Sequence, residues 1–244
     1  MSILLSLFYW AFTGLSSVLL FFGALAIWLV TAPFDRRRSL LHRYTCWWAQ
    51  LYLRCLPHCR VRVQGREKIL AHTPYILVAN HQSAADILAL SFLEIPFKWL
   101  SLRRNFSVPF VGWNMSLNGY VAVEPGNVDA VHAAMQRCRY SLEQGVPILW
   151  FPEGQRSYTR ELKRFRGGAF RLAAEFGCAV VPIVVDGTGG VFRGWRIADT
   201  PISIRVRVLD PISVVDVPEQ AKQLRDRAHE RMQAALAMLR QDRR

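Results

Sequence analysis

Tyr75-Ile76-Leu77-Val78-Ala79 is an unbroken apolar run, and Asn80-His81-Gln82-Ser83-Ala84-Ala85-Asp86 follows it without a gap. A short continuous apolar run bounded by polar residues reads as a strand buried on both faces. Ala84 to Phe92 then takes up a helical rhythm. An imidazole and a carboxylate five positions apart therefore fall between a strand end and a first helical turn. On one continuous helix that spacing separates two side chains by about 140° around the axis. His81 and Asp86 meet only if the chain turns between them.

The same strand, turn and helix grammar extends in both directions. Val61 to Val63 is a short edge strand. Phe97 to Leu102 and Tyr120 to Val123 are strands, separated by a loop with Pro109, Gly112 and Gly119. Val128 to Gln144 is helical, with Asn127 as cap and Gly145 as stop. Pro147 to Phe151 is a strand that runs into Phe151-Pro152-Glu153-Gly154-Gln155-Arg156-Ser157. Gly168 to Phe176 is a helix, and Ala179 to Val185 an apolar strand. Gly187 to Gly194 reads as one long loop. Ile202 to Leu209 alternates like a half-wet strand, and Pro218 to Gln241 is a terminal helix. Alternation of this kind predicts one α/β domain over 59–244, a largely parallel sheet flanked by helices.

Ahead of it, residues 1–58 read as a membrane-spanning or membrane-embedded helical region. No charged residue precedes Asp35. Ile3 to Val30 as a helix is about 42 Å long, enough to cross a hydrocarbon core of about 30 Å with tilt. A signal peptide would need a basic start and a shorter apolar part. Arg36, Arg37 and Arg38 follow directly and predict a cytoplasmic or inner membrane location with the domain on the cytoplasmic side. Eight arginines and no acid occupy 36–66. Cys46-Trp47-Trp48 with Leu51, Tyr52 and Leu53 reads either as an interfacial helix or as part of a helical hairpin packed on the domain.

The formal charge is +13, from 31 basic and 18 acidic side chains. That surplus favours an anionic partner. Anionic membrane lipid fits the greasy start; nucleic acid does not, because no zinc-finger spacing or RNA-binding motif accompanies the charge. Five cysteines, an odd number, cannot all pair within the chain, and they read as free thiols in a reducing compartment. Cys55, His58 and Cys59 lack the second ligand pair a structural metal would need. No dinucleotide fingerprint follows a strand.

The candidate chemistry lies in the two polar blocks. An alcohol needs a base as it attacks, and His81 titrates in the right range. Asp86 on the other ring nitrogen would orient it; a surface histidine beside a helix-capping aspartate is the plainer alternative. Ser83 suits a cap better than a nucleophile, since no nucleophile-elbow pattern surrounds it. Arg156 can grip phosphate in a fork. Gly154 allows close backbone approach, and Glu153 can hold the arginine or a substrate hydroxyl. Lys163, Arg164 and Arg166 extend the basic run.

Asn80 to Asp86 resembles the first block of the glycerolipid acyltransferases, the 1-acyl-glycerol-3-phosphate acyltransferase group. Phe151 to Ser157 is similar to their third block, with Gln155 where Thr is usual. Val181-Pro182-Ile183-Val184 resembles the fourth. The resemblance spans about residues 60 to 190. It implies that His81 deprotonates the acceptor hydroxyl, that Asp86 orients His81, and that Glu153, Gly154, Arg156 and Ser157 serve the acceptor. It implies acyl-CoA or acyl-carrier protein as co-substrate, a lysophospholipid as acceptor, no cofactor and no metal. The second block departs: Pro125 stands where the family has an arginine. Arg103, Arg104 or Arg166 would have to supply that charge. The favoured acceptor is lysophosphatidic acid, with another lysophospholipid as alternative. Hydrolysis of a lipid or thioester, and lipid binding without chemistry, are the remaining readings.

Overall fold

The computed structural model describes residues 3–157, 161–198, 200–214 and 220–241. The predicted start of the terminal helix at Pro218 lies outside them. The chain runs α1 (Ile3–Thr31), α2 (Ser39–Arg54), β1 (Cys59–Gln64), β2 (Tyr75–Ala79), α3 (Ala85–Leu90), β3 (Lys98–Leu102), α4 (Val111–Leu117), β4 (Val121–Val123) and α5 (Val128–Glu143). It continues through β5 (Ile148–Trp150), α6 (Gly168–Phe176), β6 (Ala179–Asp186), β7 (Phe192–Arg193), β8 (Arg196–Ile197), β9 (Ile202–Val208) and α7 (Gln220–Gln241). Seven strands form one sheet in the order β1-β9-β6-β2-β5-β3-β4.

The sheet is parallel from β6 to β4, and β9 pairs antiparallel with β6. The fold is α/β with a mostly parallel sheet between helices. β2 is buried at every position, as a strand with helices on both faces must be. Its alternate residues serve two cores. Leu77, Leu149 and Val181 pack with Trp48, Tyr52 and Leu90 on one face. Ile76, Ile148 and Val180 pack with Phe170, Ala134, Leu142 and Leu236 on the other. Each fully buried Leu, Ile or Phe contributes about 1.5–3 kcal/mol.

α1 is long and apolar enough to cross a membrane by length and composition. Leu4, Leu15, Leu19 and Leu29 are exposed along it, an apolar face suited to membrane association. Its other face packs on α2. Tyr9 Oη donates to the Tyr52 carbonyl at 3.1 Å, and the Tyr52 hydroxyl takes Trp48 Nε1–H at 2.6 Å and lies 2.9 Å from Ser17 Oγ. Trp48, Tyr52 and Leu53 are therefore interior, which corrects the interfacial-helix reading for that face and follows the hairpin reading. Trp48 and Tyr52, four positions apart, share one helical face, and that face packs into the core beneath the sheet. Trp47 remains exposed on the opposite side.

Two elements differ from the sequence expectation. The 103–119 loop contains the short helix α4. Gly112 is there for space: a Cβ would stand 2.5 Å from the Phe106 carbonyl oxygen. The glycine-rich segment after β6 is not one open loop; it forms a turn of 3-10 helix at Thr188–Gly190 and the hairpin β7–β8.

Candidate active site

β6, β2 and β5 are adjacent and parallel, so their C-terminal ends share one edge of the sheet. Ligands of open α/β sheets bind at that edge. His81 leaves β2 there, Glu153 leaves β5, and Thr188 leaves β6. Asn80 joins the ends by bonding both backbone groups of Val185, at 2.9 Å through Nδ2–H and 2.8 Å through Oδ1.

The turn that the His81 and Asp86 spacing requires is present. His81 Nδ1 lies 2.8 Å from Asp86 Oδ2. Asp86 sits in the first turn of α3, fully buried. The same Oδ2 accepts the N–H groups of Gln82 at 2.6 Å and Ser83 at 2.8 Å. Oδ1 accepts a short hydrogen bond from Thr188 Oγ1. Four donors thus fix the carboxylate. A carboxylate only accepts, so the ring carries its proton on Nδ1, and Nε2 is left for the groove. The Phe151 ring stacks on the imidazole at 4.0 Å between centroids, holding its plane. Ser83 Oγ accepts from Ala85 N at 3.2 Å, the local partner role read from sequence.

Glu153 acts on backbone. Its carboxylate accepts His81 N–H at 2.8 Å and Lys163 N–H at 3.1 Å, tying the β2 and β5 loops together. Burial raises its pKa, and the two N–H bonds oppose the rise. Ser157 is likewise turned inward: its N–H donates to the His81 carbonyl at 2.7 Å and its Oγ to the Glu161 carbonyl at 2.9 Å. Gly154 has φ 71°, and a Cβ there would meet Arg166 Nε at 2.6 Å. The Arg166 guanidinium therefore lies over Gly154. Lys163 Nζ donates to the Arg156 carbonyl at 2.9 Å.

A groove of about 1320 Å³ runs over this edge, with His81, Gly154, Arg156, Lys163 and Arg166 in its lining. Arg103 is not brought to it. Its Nε pairs with Glu124 Oε2 at 3.1 Å, while its neighbour Arg104 lines the groove. Pro125 also lines it. Thr188 was not found by sequence reasoning: it is 102 positions from Asp86 in a glycine-rich stretch with no local signal. Among the described residues, no three His, Cys, Asp or Glu side chains gather closely enough to hold a metal ion.

Comparison with known proteins shows the family. The family model described as Acyltransferase matches residues 60–186, more than half of the chain. A 1-acyl-sn-glycerol-3-phosphate acyltransferase of Chlamydomonas reinhardtii is 37% identical over 188 residues, 76% of this chain and 56% of that protein. The 1-acyl-sn-glycerol-3-phosphate acyltransferase of Saccharomyces cerevisiae is 36% identical over 183 residues, 68% of this chain and 57% of that one. The chain spans about half the length of the curated relatives it matches. The crystal structure of a 1-acyl-sn-glycerophosphate (LPA) acyltransferase from Thermotoga maritima shares the fold, with TM-score 0.76 and 22% identity over 98% of this chain and 95% of that one. With His81, Asp86 and Glu153 all inside the matched span, the chain belongs to the Acyltransferase family, within its glycerolipid branch.

Proposed function

We propose that this protein transfers a fatty acyl group from a thioester, acyl-CoA or acyl-carrier protein, to the free hydroxyl of a lysophospholipid, with lysophosphatidic acid as the favoured acceptor. The observation that carries the reading is the His81–Asp86 pair at 2.8 Å, with the free ring nitrogen opening on a groove that also holds Arg156 and Arg166.

In the proposed step, His81 Nε2 takes the acceptor hydroxyl proton as the oxygen attacks the thioester carbonyl carbon. Asp86 stabilises the imidazolium that forms. The tetrahedral intermediate collapses with cleavage of the C–S bond, and the imidazolium returns its proton to the departing thiolate. The products are the ester and the free thiol. Arg156, Arg166 and Lys163 supply positive charge for the acceptor phosphate. Arg104 is the groove cation that offsets Pro125 in the second block. The apolar side of the groove, with Trp48, Tyr52 and Leu88, suits the acyl chain. α1 holds the domain at a membrane, and Arg36, Arg37 and Arg38 favour its cytoplasmic face and anionic lipid.

The test is a panel of lysolipids offered with acyl-CoA and with acyl-carrier protein, products read by mass spectrometry. The reading expects ester formation that depends on acceptor, greatest with lysophosphatidic acid. Thioester consumption at the same rate without acceptor would replace transfer with hydrolysis.

A further inference from the structure

The groove does not stay on one face of the sheet. Trp48 and Tyr52 line it from the α2 side, and Arg139 and Arg171 line it from α5 and α6 on the opposite side. It therefore crosses the C-terminal edge of the sheet, where β2 delivers His81. The two sides differ in chemistry. The α2 side is aromatic and aliphatic. Over the whole lining the cations are Arg104, Arg139, Arg156, Lys163, Arg166 and Arg171, and Glu175 is the lone carboxylate among the described lining residues.

That is more positive charge than the proposed acceptor can use. A phosphate monoester carries about two negative charges at neutral pH. Arg156, Lys163 and Arg166, gathered around Gly154, already exceed it. Arg139 and Arg171 come instead from the helices α5 and α6. Arg139 Nη2 donates to Glu175 Oε2 at 3.0 Å across the α5–α6 gap, both side chains roughly half exposed. An exposed pair of this kind contributes little and exchanges readily for a stronger anion. The second substrate of the proposed reaction must put its chain in the apolar part, its carbonyl at His81, and its phosphorylated handle somewhere else.

We infer that Arg139 and Arg171, on α5 and α6, form a second phosphate site that binds the phosphopantetheine-bearing handle of the thioester donor. This rests on the acyl-transfer reading of the site and adds to it the path of the donor. Glu175 holds Arg139 in the groove when the donor is absent and competes with the donor phosphate for it.

The experiment is steady-state kinetics on the full chain in mixed micelles. The proteins are wild type, R139A/R171A and Glu175→Gln. The donors are acyl-CoA, acyl-carrier protein and an acyl-N-acetylcysteamine thioester, which has no phosphate. The double variant is expected to raise the KM for acyl-CoA by about tenfold or more, with the KM for lysophosphatidic acid unchanged within about twofold. Its KM for the phosphate-free thioester stays at the wild-type value. Glu175→Gln lowers the KM for acyl-CoA, an opposite change that structural damage does not produce. A rise shared by acyl-carrier protein assigns the pantetheine phosphate; a rise confined to acyl-CoA assigns the nucleotide phosphates of the handle. An unchanged KM for both phosphorylated donors overturns the inference. So does an equal rise with the phosphate-free thioester or with the acceptor, or a rise in Glu175→Gln. A wild type that makes no ester from any donor refutes the acyl-transfer reading instead, which keeps the two failures apart.

Discussion

Replacing Asp86 by Asn tests whether the aspartate works through charge or only through position. Asp86 Oδ2 accepts from His81, Gln82 and Ser83, and Oδ1 accepts from Thr188. An asparagine has one oxygen and one amide nitrogen to put in these places. With its nitrogen toward Gln82 and Ser83 it would face two N–H donors, each left unpaired at about 1–3 kcal/mol. The amide therefore turns its oxygen to them and to His81, and its NH2 toward Thr188, whose hydroxyl can reverse and accept. The fold and the imidazole tautomer survive. What is lost is the negative charge facing the imidazolium. Weakening the hydrogen bond alone accounts for about 1 kcal/mol, and full loss of a unit charge at 4 Å sets a ceiling of about 4 kcal/mol at an effective dielectric of 20. A loss of about 2–3 kcal/mol lowers kcat by about 30- to 150-fold. The assay is ester formation at saturating donor and acceptor, alongside thermal unfolding. Asp86→Ala gives the contrast: it strips the partners from the buried Ser83 N–H, the part-buried Gln82 N–H and the Thr188 hydroxyl, and should destabilise by about 3–6 kcal/mol. An Asp86→Asn protein within twofold of wild-type kcat would refute the charge argument. One that unfolds as readily as Asp86→Ala would refute the assignment of its hydrogen bonds.

Three further outcomes follow from neighbouring groups. Thr188→Val removes the donor to Asp86 Oδ1 and should cost about 1–3 kcal/mol in denaturant unfolding, with kcat reduced less than in Asp86→Asn. Gly154→Ala pays a left-handed backbone penalty of about 1 kcal/mol and pushes the Arg166 guanidinium aside, so the KM for acceptor should rise severalfold with a smaller change in kcat. Lys98 is buried beneath the α1–α2 joint, where Nζ donates to the carbonyls of Arg37 at 2.8 Å and Asn118 at 2.6 Å. Burial, helped by nearby Arg38, depresses its pKa from 10.5 to about 7. The unfolded chain then holds the proton over pH 7 to 10.5 while the folded one has released it, so this group's contribution is present above 10.5 and is lost as pH falls toward 7. Stability should climb through that window by at most roughly 1.4 kcal/mol per pH unit, and Lys98→Met should flatten the slope in unfolding titrations.

The sequence carried the middle of the sheet well, because strands with helices on both faces are apolar throughout and need no alternation to be seen. Tyr75–Ala79 falls on β2 with both ends right, and Asn127 caps α5 by accepting Ala130 N–H at 3.0 Å. α4 was hidden because Gly112 and Asn114 serve tertiary needs, a close backbone approach and a bond to Thr45, at the expense of helical signal. Trp48 and Tyr52 looked like headgroup-depth aromatics because composition cannot tell a lipid face from a protein face. The pairing of His81 with Asp86 was legible from strand end, turn and helix start. Which arginines reach the groove was not. Arg103 and Arg104 are successive residues on a tight 3-10 turn and so point in different directions, one to Glu124 and one to the groove. Glu153, by its place beside Arg156, suggests a partner of arginine or substrate, yet it clamps two backbone N–H groups, one of them 72 positions away along the chain.

The proposed acyl transfer depends on the imidazole at position 81. Ester formation by His81→Ala, measured on protein shown to be folded and membrane-bound, addresses it most directly. The expected result is a fall in kcat of about 10²- to 10⁴-fold with donor and acceptor still bound, the range general-base catalysis supplies. Turnover near the wild-type rate would contradict it.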